Sequence, residues 1–224
     1  SAKAIFIYNK DGKYLRRIGD PKWFERLANV TVDPKGDRVY LVDIGGVSSE
    51  QHRVRVIDAT SGEPLFDFGK RGTDPGYFNF PRDLVVGNGG RLYVVDSGNF
   101  RVQIFDRDGK FQKSFGSIGR QVGQFSRPKE IAVDPAGNLY VVDTAFGNFQ
   151  VFNPEGELLM FVGGRSEEDG PARYMLPAGI YVDEDGRVYM VDQCFRKVDI
   201  FRPYSLKADA GYLGQRPGAK PASR

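Results

Sequence analysis

Phe78-Asn79-Phe80-Pro81-Arg82-Asp83-Leu84-Val85-Val86, Arg91-Leu92-Tyr93-Val94-Val95-Asp96, Arg101-Val102-Gln103-Ile104-Phe105-Asp106 and Phe111-Gln112-Lys113-Ser114-Phe115-Gly116 are the four runs whose reading decides the fold. They are short, rich in β-branched and aromatic residues, and separated by Gly, Asn and Asp, the pattern of a four-stranded antiparallel meander. The pattern recurs. The Asp closing the second run stands at Asp43, Asp96, Asp143 and Asp192, with spacings of 53, 47 and 49 residues. The Gly closing the fourth stands at Gly19, Gly69, Gly116 and Gly163, with spacings of 50, 47 and 47. A period near fifty residues made of four strands predicts an all-β fold, a β-propeller with one four-stranded antiparallel blade per repeat.

The predicted segments follow from that period. Residues 1–19 carry only third- and fourth-strand patterns and read as a partial blade. Residues 20–69, 70–116 and 117–163 read as whole blades, 164–203 as a final blade without a clear fourth strand, and 204–224 as a basic Gly- and Pro-containing tail. Roughly four and a half blades are therefore expected here, from a parent ring of about six, with the missing strands preceding Ser1. An open ring would leave sheet edges and blade faces uncovered.

Composition fits such a fold. Hydrophobic residues make up 40% and aromatic residues 13%, enough to fill cores between blades, while 28 Gly and 13 Pro supply turns. No run of eighteen apolar residues is present, so no membrane span is expected. The one cysteine, Cys194, cannot form an internal disulfide. The net charge of +3 equals that of the tail alone, where Lys207, Arg216, Lys220 and Arg224 stand against Asp209. The body is formally neutral, which argues against a fold devoted to gripping phosphate backbones.

Turn chemistry separates two edges. First-to-second connections such as Pro135-Ala136-Gly137-Asn138 and third-to-fourth ones such as Asp108-Gly109 are tight hairpin signals on one edge. The irregular connections, including 71–77, 119–124 and 164–174, collect on the other, where function is expected.

Second and third strands bring Asp43, Asp96, Asp143 and Asp192 to that irregular edge, with Arg53, Arg101 and Lys197 near them. Two uses are open: a ring of ligand-binding groups, or repeated hydrogen bonds and ion pairs that tie strands and blades together, the commoner fate of periodic residues. Arg82 and Lys129 each follow a Pro where Ala28 and Ala178 stand in other repeats, and first strands line a propeller's channel. These two are the candidate anion or partner contacts. Asp83 and Glu130 follow them and are positioned to neutralise them. Counting these acids and bases, five bases face six acids, which gives no basic edge for RNA.

Catalytic candidates are few. His52 is the one histidine, so a multi-histidine zinc site is excluded and a Ser-His-Asp triad has a single place to form. Cys194 has no histidine beside it in sequence. Asp106-Arg107-Asp108-Gly109 begins like a calcium loop, but the twelfth position is Ser117 instead of Glu, so it reads as a hairpin. The sequon Asn29-Val30-Thr31 falls in a predicted strand. No Cys-x-x-Cys-His is present, and the reading is of a chain with no cofactor and no metal.

The stretches Gly72-Thr73-Asp74-Pro75-Gly76-Tyr77-Phe78, Phe80-Pro81-Arg82-Asp83-Leu84, Leu92-Tyr93-Val94-Val95-Asp96-Ser97-Gly98-Asn99 and Arg101-Val102-Gln103-Ile104-Phe105 resemble the NHL-repeat family. The resemblance runs from about Ile5 to Phe201. It departs at Asn148 and Lys197, which stand where Arg101 does, and in the first repeat, which lacks the Asp-Pro-Gly entry. Such propellers serve as RNA-binding faces, protein-binding scaffolds, sensors and, rarely, lyases. The Phe-Gly, Val-Val-Asp style implies a bacterial, exported protein, periplasmic or extracellular, accompanying an envelope or multihaem electron-transfer assembly. The function expected is a non-enzymatic scaffold or accessory subunit that binds another protein with its irregular edge and its tail. An RNA-binding module and a channel-mouth lyase or hydrolase are the alternatives.

Overall fold

The computed structural model describes residues 4–206. Its sheets repeat one plan. Strands β1 (Ile5–Tyr8) and β2 (Tyr14–Ile18) form a hairpin. The first whole blade is β3 (Leu27–Val32), β4 (Arg38–Asp43), β5 (Arg53–Asp58) and β6 (Pro64–Phe68). The second is β7 (Pro81–Val86), β8 (Leu92–Asp96), β9 (Arg101–Phe105) and β10 (Phe111–Phe115). The third is β11 (Pro128–Val133), β12 (Leu139–Asp143), β13 (Asn148–Phe152) and β14 (Leu158–Val162). A two-residue parallel pair, β15 (Gly164–Arg165) and β16 (Arg173–Tyr174), leads into a three-stranded blade of β17 (Pro177–Val182), β18 (Val188–Asp192) and β19 (Lys197–Phe201). Every blade is antiparallel and wired in sequence order.

Alternation along each strand writes both faces of a blade. Tyr40, Val42, Val54 and Val56 turn forward onto Phe78, Leu84, Val94 and Phe105 of the second blade. Val39, Leu41 and Ile57 turn back onto Ile18 and Phe24. The second blade packs forward with Tyr93, Val95, Val102 and Ile104 onto Phe125, Ile131, Val141 and Phe152. The third packs with Val142, Phe149 and Val151 onto Tyr174, Val182 and Met190. A period of two thus alternates between neighbouring blades, and the core is a series of layers between sheets. First strands β3, β7, β11 and β17 lie side by side at the centre. This is a propeller arrangement, and the forward face of the last blade, with Tyr181, Val191, Val198 and Ile200, is exposed.

The periodic glycines have a packing cause. Gly116 has φ +85° and lies so close beneath Phe125 that a Cβ would sit 2.4 Å from the ring; Gly69 under Phe78 and Gly163 under Tyr174 repeat the pairing. Each blade ends where the chain passes under the aromatic that opens the next, and only Gly fits there.

Candidate functional site

Pairing of Pro81 with Asp96 and of Asp96 with Arg101 puts the ends of second strands and the starts of first and third strands on one edge. The four periodic aspartates sit there wholly buried. Each ties together two loops. Asp143 accepts from Ser126 N at 2.7 Å and Arg127 N at 3.0 Å with one oxygen, and from Ala145 N and Phe146 N with the other. Asp192 does the same with Met175, Leu176, Cys194 and Phe195. Asp43 accepts from Glu25, Arg26 and Gly45. Asp96 takes one backbone donor, Asn79 N, and completes its shell with Asn99, Arg101 and Gln103. Burial pushes its carboxyl up, against the pull of these donors.

The bases near the ring behave differently from one another. Arg101 pairs with Asp96 at 2.9 Å. Arg53 stands 3.6 Å from Asp43 and 2.9 Å from Asp67. Lys197 pairs with Asp169 and Asp199, on the incoming loop and its own strand.

A second set of tethers was not visible as a site in the sequence. Gln103 accepts from Gly76 N at 2.9 Å and donates to the Tyr77 carbonyl at 2.7 Å. Gln150, 47 residues on, does the same with Gly123 and Gln124. Their equal spacing was the available signal. Between the aspartates and these amides, the entry loops are held at both ends, and parallel bridges Arg71–Phe78 and Ile118–Phe125 brace them further.

His52 is buried. Its Nδ1 accepts from Phe80 N at 3.1 Å, which leaves the ring proton on Nε2 to donate to the Gly46 carbonyl at 3.2 Å. Both nitrogens are occupied in pinning the long 44–52 connection to the next blade. Cys194 is exposed, with Sγ 3.2 Å from the Met175 sulfur.

Arg82 and Lys129 occupy β-bulges of neighbouring first strands, at Pro81–Asp83 and Pro128–Glu130; Ala28 and Ala178 fill the same bulges in β3 and β17. Asn29, Asp83, Glu130 and Gly179 come next, each paired to a second-strand Val. Asp83 does not turn out to neutralise Arg82. It is buried, accepting from Leu84 N and, across the blade seam, from Ile131 N, both at 2.8 Å. It also faces the Glu130 carboxyl, and burial followed by the Glu130 charge drives it up. Beneath lies a cleft of about 280 Å³ lined by residues of all four first strands, including Thr31, Glu130 and Tyr181.

The count of five bases against six acids on this edge changes once burial is seen. Asp43, Asp83, Asp96, Asp143 and Asp192 are buried and bonded, so five of the six acids do not face solvent. Arg26 and Arg127, absent from that count, precede the first strands and are exposed, as is Arg82. Among the described residues, the side chains of Arg26, Arg82, Arg127 and Lys129 make no hydrogen bond or ion pair; Lys129 and Arg82 act on Glu130 through space. The tail bases Lys207, Arg216, Lys220 and Arg224 lie outside the described residues.

Comparison with known proteins adds a family and a fold. The family model for the NHL repeat matches residues 78–105. Human NHL repeat-containing protein 3 is 35% identical over 91 residues, 40% of this chain and 24% of that protein. The Caenorhabditis elegans RING finger protein nhl-1 is 44% identical over 50 residues, 22% of this chain and 5% of its own length. The matches thus span a quarter or less of these relatives. Among solved structures, hydrazine synthase of Kuenenia stuttgartiensis aligns with a TM-score of 0.68 at 15% identity, covering 90% of this chain and 65% of that one. Virginiamycin B lyase from Staphylococcus aureus aligns with a TM-score of 0.61 at 15% identity, covering 90% and 63%. At that identity the likeness is one of fold.

Proposed function

The chain is an NHL-repeat β-propeller, and we propose that it works as a non-enzymatic scaffold that binds another protein on its irregular-loop edge. The observation that carries this is the character of that edge: loops tethered by Asp43, Asp96, Asp143 and Asp192 present the exposed aliphatic side chains Val47, Ile118, Val122 and Leu176. Loops fixed before binding lose little freedom on binding, and aliphatic groups on a polar surface favour a protein surface as partner. His52, around which a Ser-His-Asp triad would have to form, is buried with both nitrogens bonded. The reading extends to an exported setting, as accessory subunit of an envelope or multihaem electron-transfer assembly, because the family resemblance points there. The basic tail is its second contact.

The test is capture from the native source with the immobilised full chain, then reconstitution of the recovered protein with purified chain. One partner binding at fixed stoichiometry, and failing to bind an Ile118→Glu, Val122→Glu variant, is the expected result. Recovery of nucleic acid alone, or binding unaffected by those changes, overturns the reading.

A further inference from the structure

Among the described residues, some basic side chains are engaged in ion pairs or hydrogen bonds and others, Lys35, Lys110 and Arg120 among them, are not. On the tight-turn edge Arg107 reaches back to Asp33 and Asp37, Arg38 reaches forward to Asp108, Arg91 meets Glu155, and Arg187 sits between Asp183 and Asp185. On the irregular edge, four of these unengaged bases stand at the starts of neighbouring first strands. Arg26 and Arg127 stand at one register position before their first strands, and Arg82 and Lys129 at another, two residues on. Since β3, β7 and β11 are neighbours, the four stand at the starts of adjacent strands on one edge. Beside them stand Glu25, which accepts from Gly46 N at 3.0 Å, and the Asp83–Glu130 pair, whose carboxyls burial pushes up. Among the described residues none of the four side chains makes a hydrogen bond or ion pair, although Arg82 and Lys129 act on Glu130 through space.

We infer that the channel mouth at these strand starts takes an acidic peptide segment of the protein partner, its carboxylates bound by Arg26, Arg82, Arg127 and Lys129 and its apolar flanks by Ile118, Val122 and Leu176. The inference rests on the scaffold reading and deepens it. Guanidinium groups bind carboxylate and phosphate alike. The peptide is favoured over a nucleic acid by the aliphatic surround and by the compact shape of the cationic patch, which is a mouth of a few residues; a strand of phosphates calls for a stripe.

Fluorescence anisotropy with the full chain decides it, using a short labelled peptide of glutamates flanked by leucines and, in parallel, a labelled oligouridylate of the same charge. The peptide is expected to bind, to weaken as salt is raised, and to lose about tenfold to a hundredfold in affinity in an Arg82→Glu, Lys129→Glu variant. Lys110→Glu, on the tight-turn edge, is expected to bind as wild type does. Binding of the oligouridylate without the peptide overturns the inference and assigns the mouth to nucleic acid. A protein partner that is recovered and reconstituted, yet binds the Arg82→Glu, Lys129→Glu variant as tightly as wild type, also overturns it while leaving the scaffold reading intact. Equal peptide loss in Lys110→Glu would show nonspecific charge attraction and overturn it as well.

Discussion

The two edges of this propeller handle charge in opposite ways. On the tight-turn edge, bases and acids meet across blade seams: Arg107 of the second blade joins Asp33 and Asp37 of the first, and Arg38 of the first answers with Asp108. On the irregular edge the acids go inward to hold loop backbone, and the mouth bases are left facing solvent. The difference teaches where binding can occur without disturbing the fold. Neutralising a tight-turn arginine removes a seam; neutralising a mouth arginine removes nothing structural.

That contrast orders the effects of substitution. Asp143→Ala would strand four backbone N–H groups on the irregular edge and is expected to cost about 3–5 kcal/mol, read as a lowered urea midpoint. Gly116→Ala places a methyl group against the Phe125 ring in a left-handed backbone and is expected to cost about 2 kcal/mol, whereas Gly164→Ala, with open space around it, should change the midpoint little. On the opposite edge, Arg107→Ala leaves buried Asp33 without its ion-pair partner and should cost about 1–2 kcal/mol, the loss shrinking when salt is raised. At the mouth, Arg82→Ala with Arg127→Ala should leave stability within about 0.5 kcal/mol of wild type. A large loss in that variant would erase the distinction between the edges.

The Asp83–Glu130 pair adds a pH test on the same edge. Its carboxyls are pushed up, so the folded state binds a proton that the unfolded chain releases at ordinary carboxylate pH. Stability from this source is full at low pH and falls as pH rises from the unfolded carboxylate range through the folded range. Urea midpoints across that span should decline in wild type and decline less in Asp83→Asn; identical slopes would show that the pair holds no proton.

Much of the fold was legible because a fifty-residue period repeats both hydrophobic alternation and turn chemistry. Asp96, Gly116 and the Val-Val-Asp endings located strands, blade order and the two edges. The site was less legible. Burial decides whether an acid can meet a partner at the surface, and sequence does not give it: Asp43, Asp96, Asp143 and Asp192 stand on the irregular edge but are turned inward onto backbone donors. Arg26 and Arg127 share a position relative to the strand start without sharing a motif, so no sequence pattern marks them. Asp83 was assigned to Arg82, its neighbour in sequence, whereas a bulge turns successive side chains apart and sends it to Ile131 in the next blade. The exposed forward face of the last blade makes a related point. Val198 and Ile200 are 54% and 41% exposed, while Val102 and Ile104, their equivalents in the second blade, are 0% and 3%. The same alternation is core or surface according to whether another blade follows.

The most direct test of the central claim is hydrogen–deuterium exchange of the reconstituted complex against the free chain. Binding on the irregular edge predicts new protection in residues 71–83, 118–130 and 164–178, with the tight turns at 34–37, 87–90 and 135–138 unchanged. Protection confined to those turns, or to the exposed face of the last blade, would contradict it.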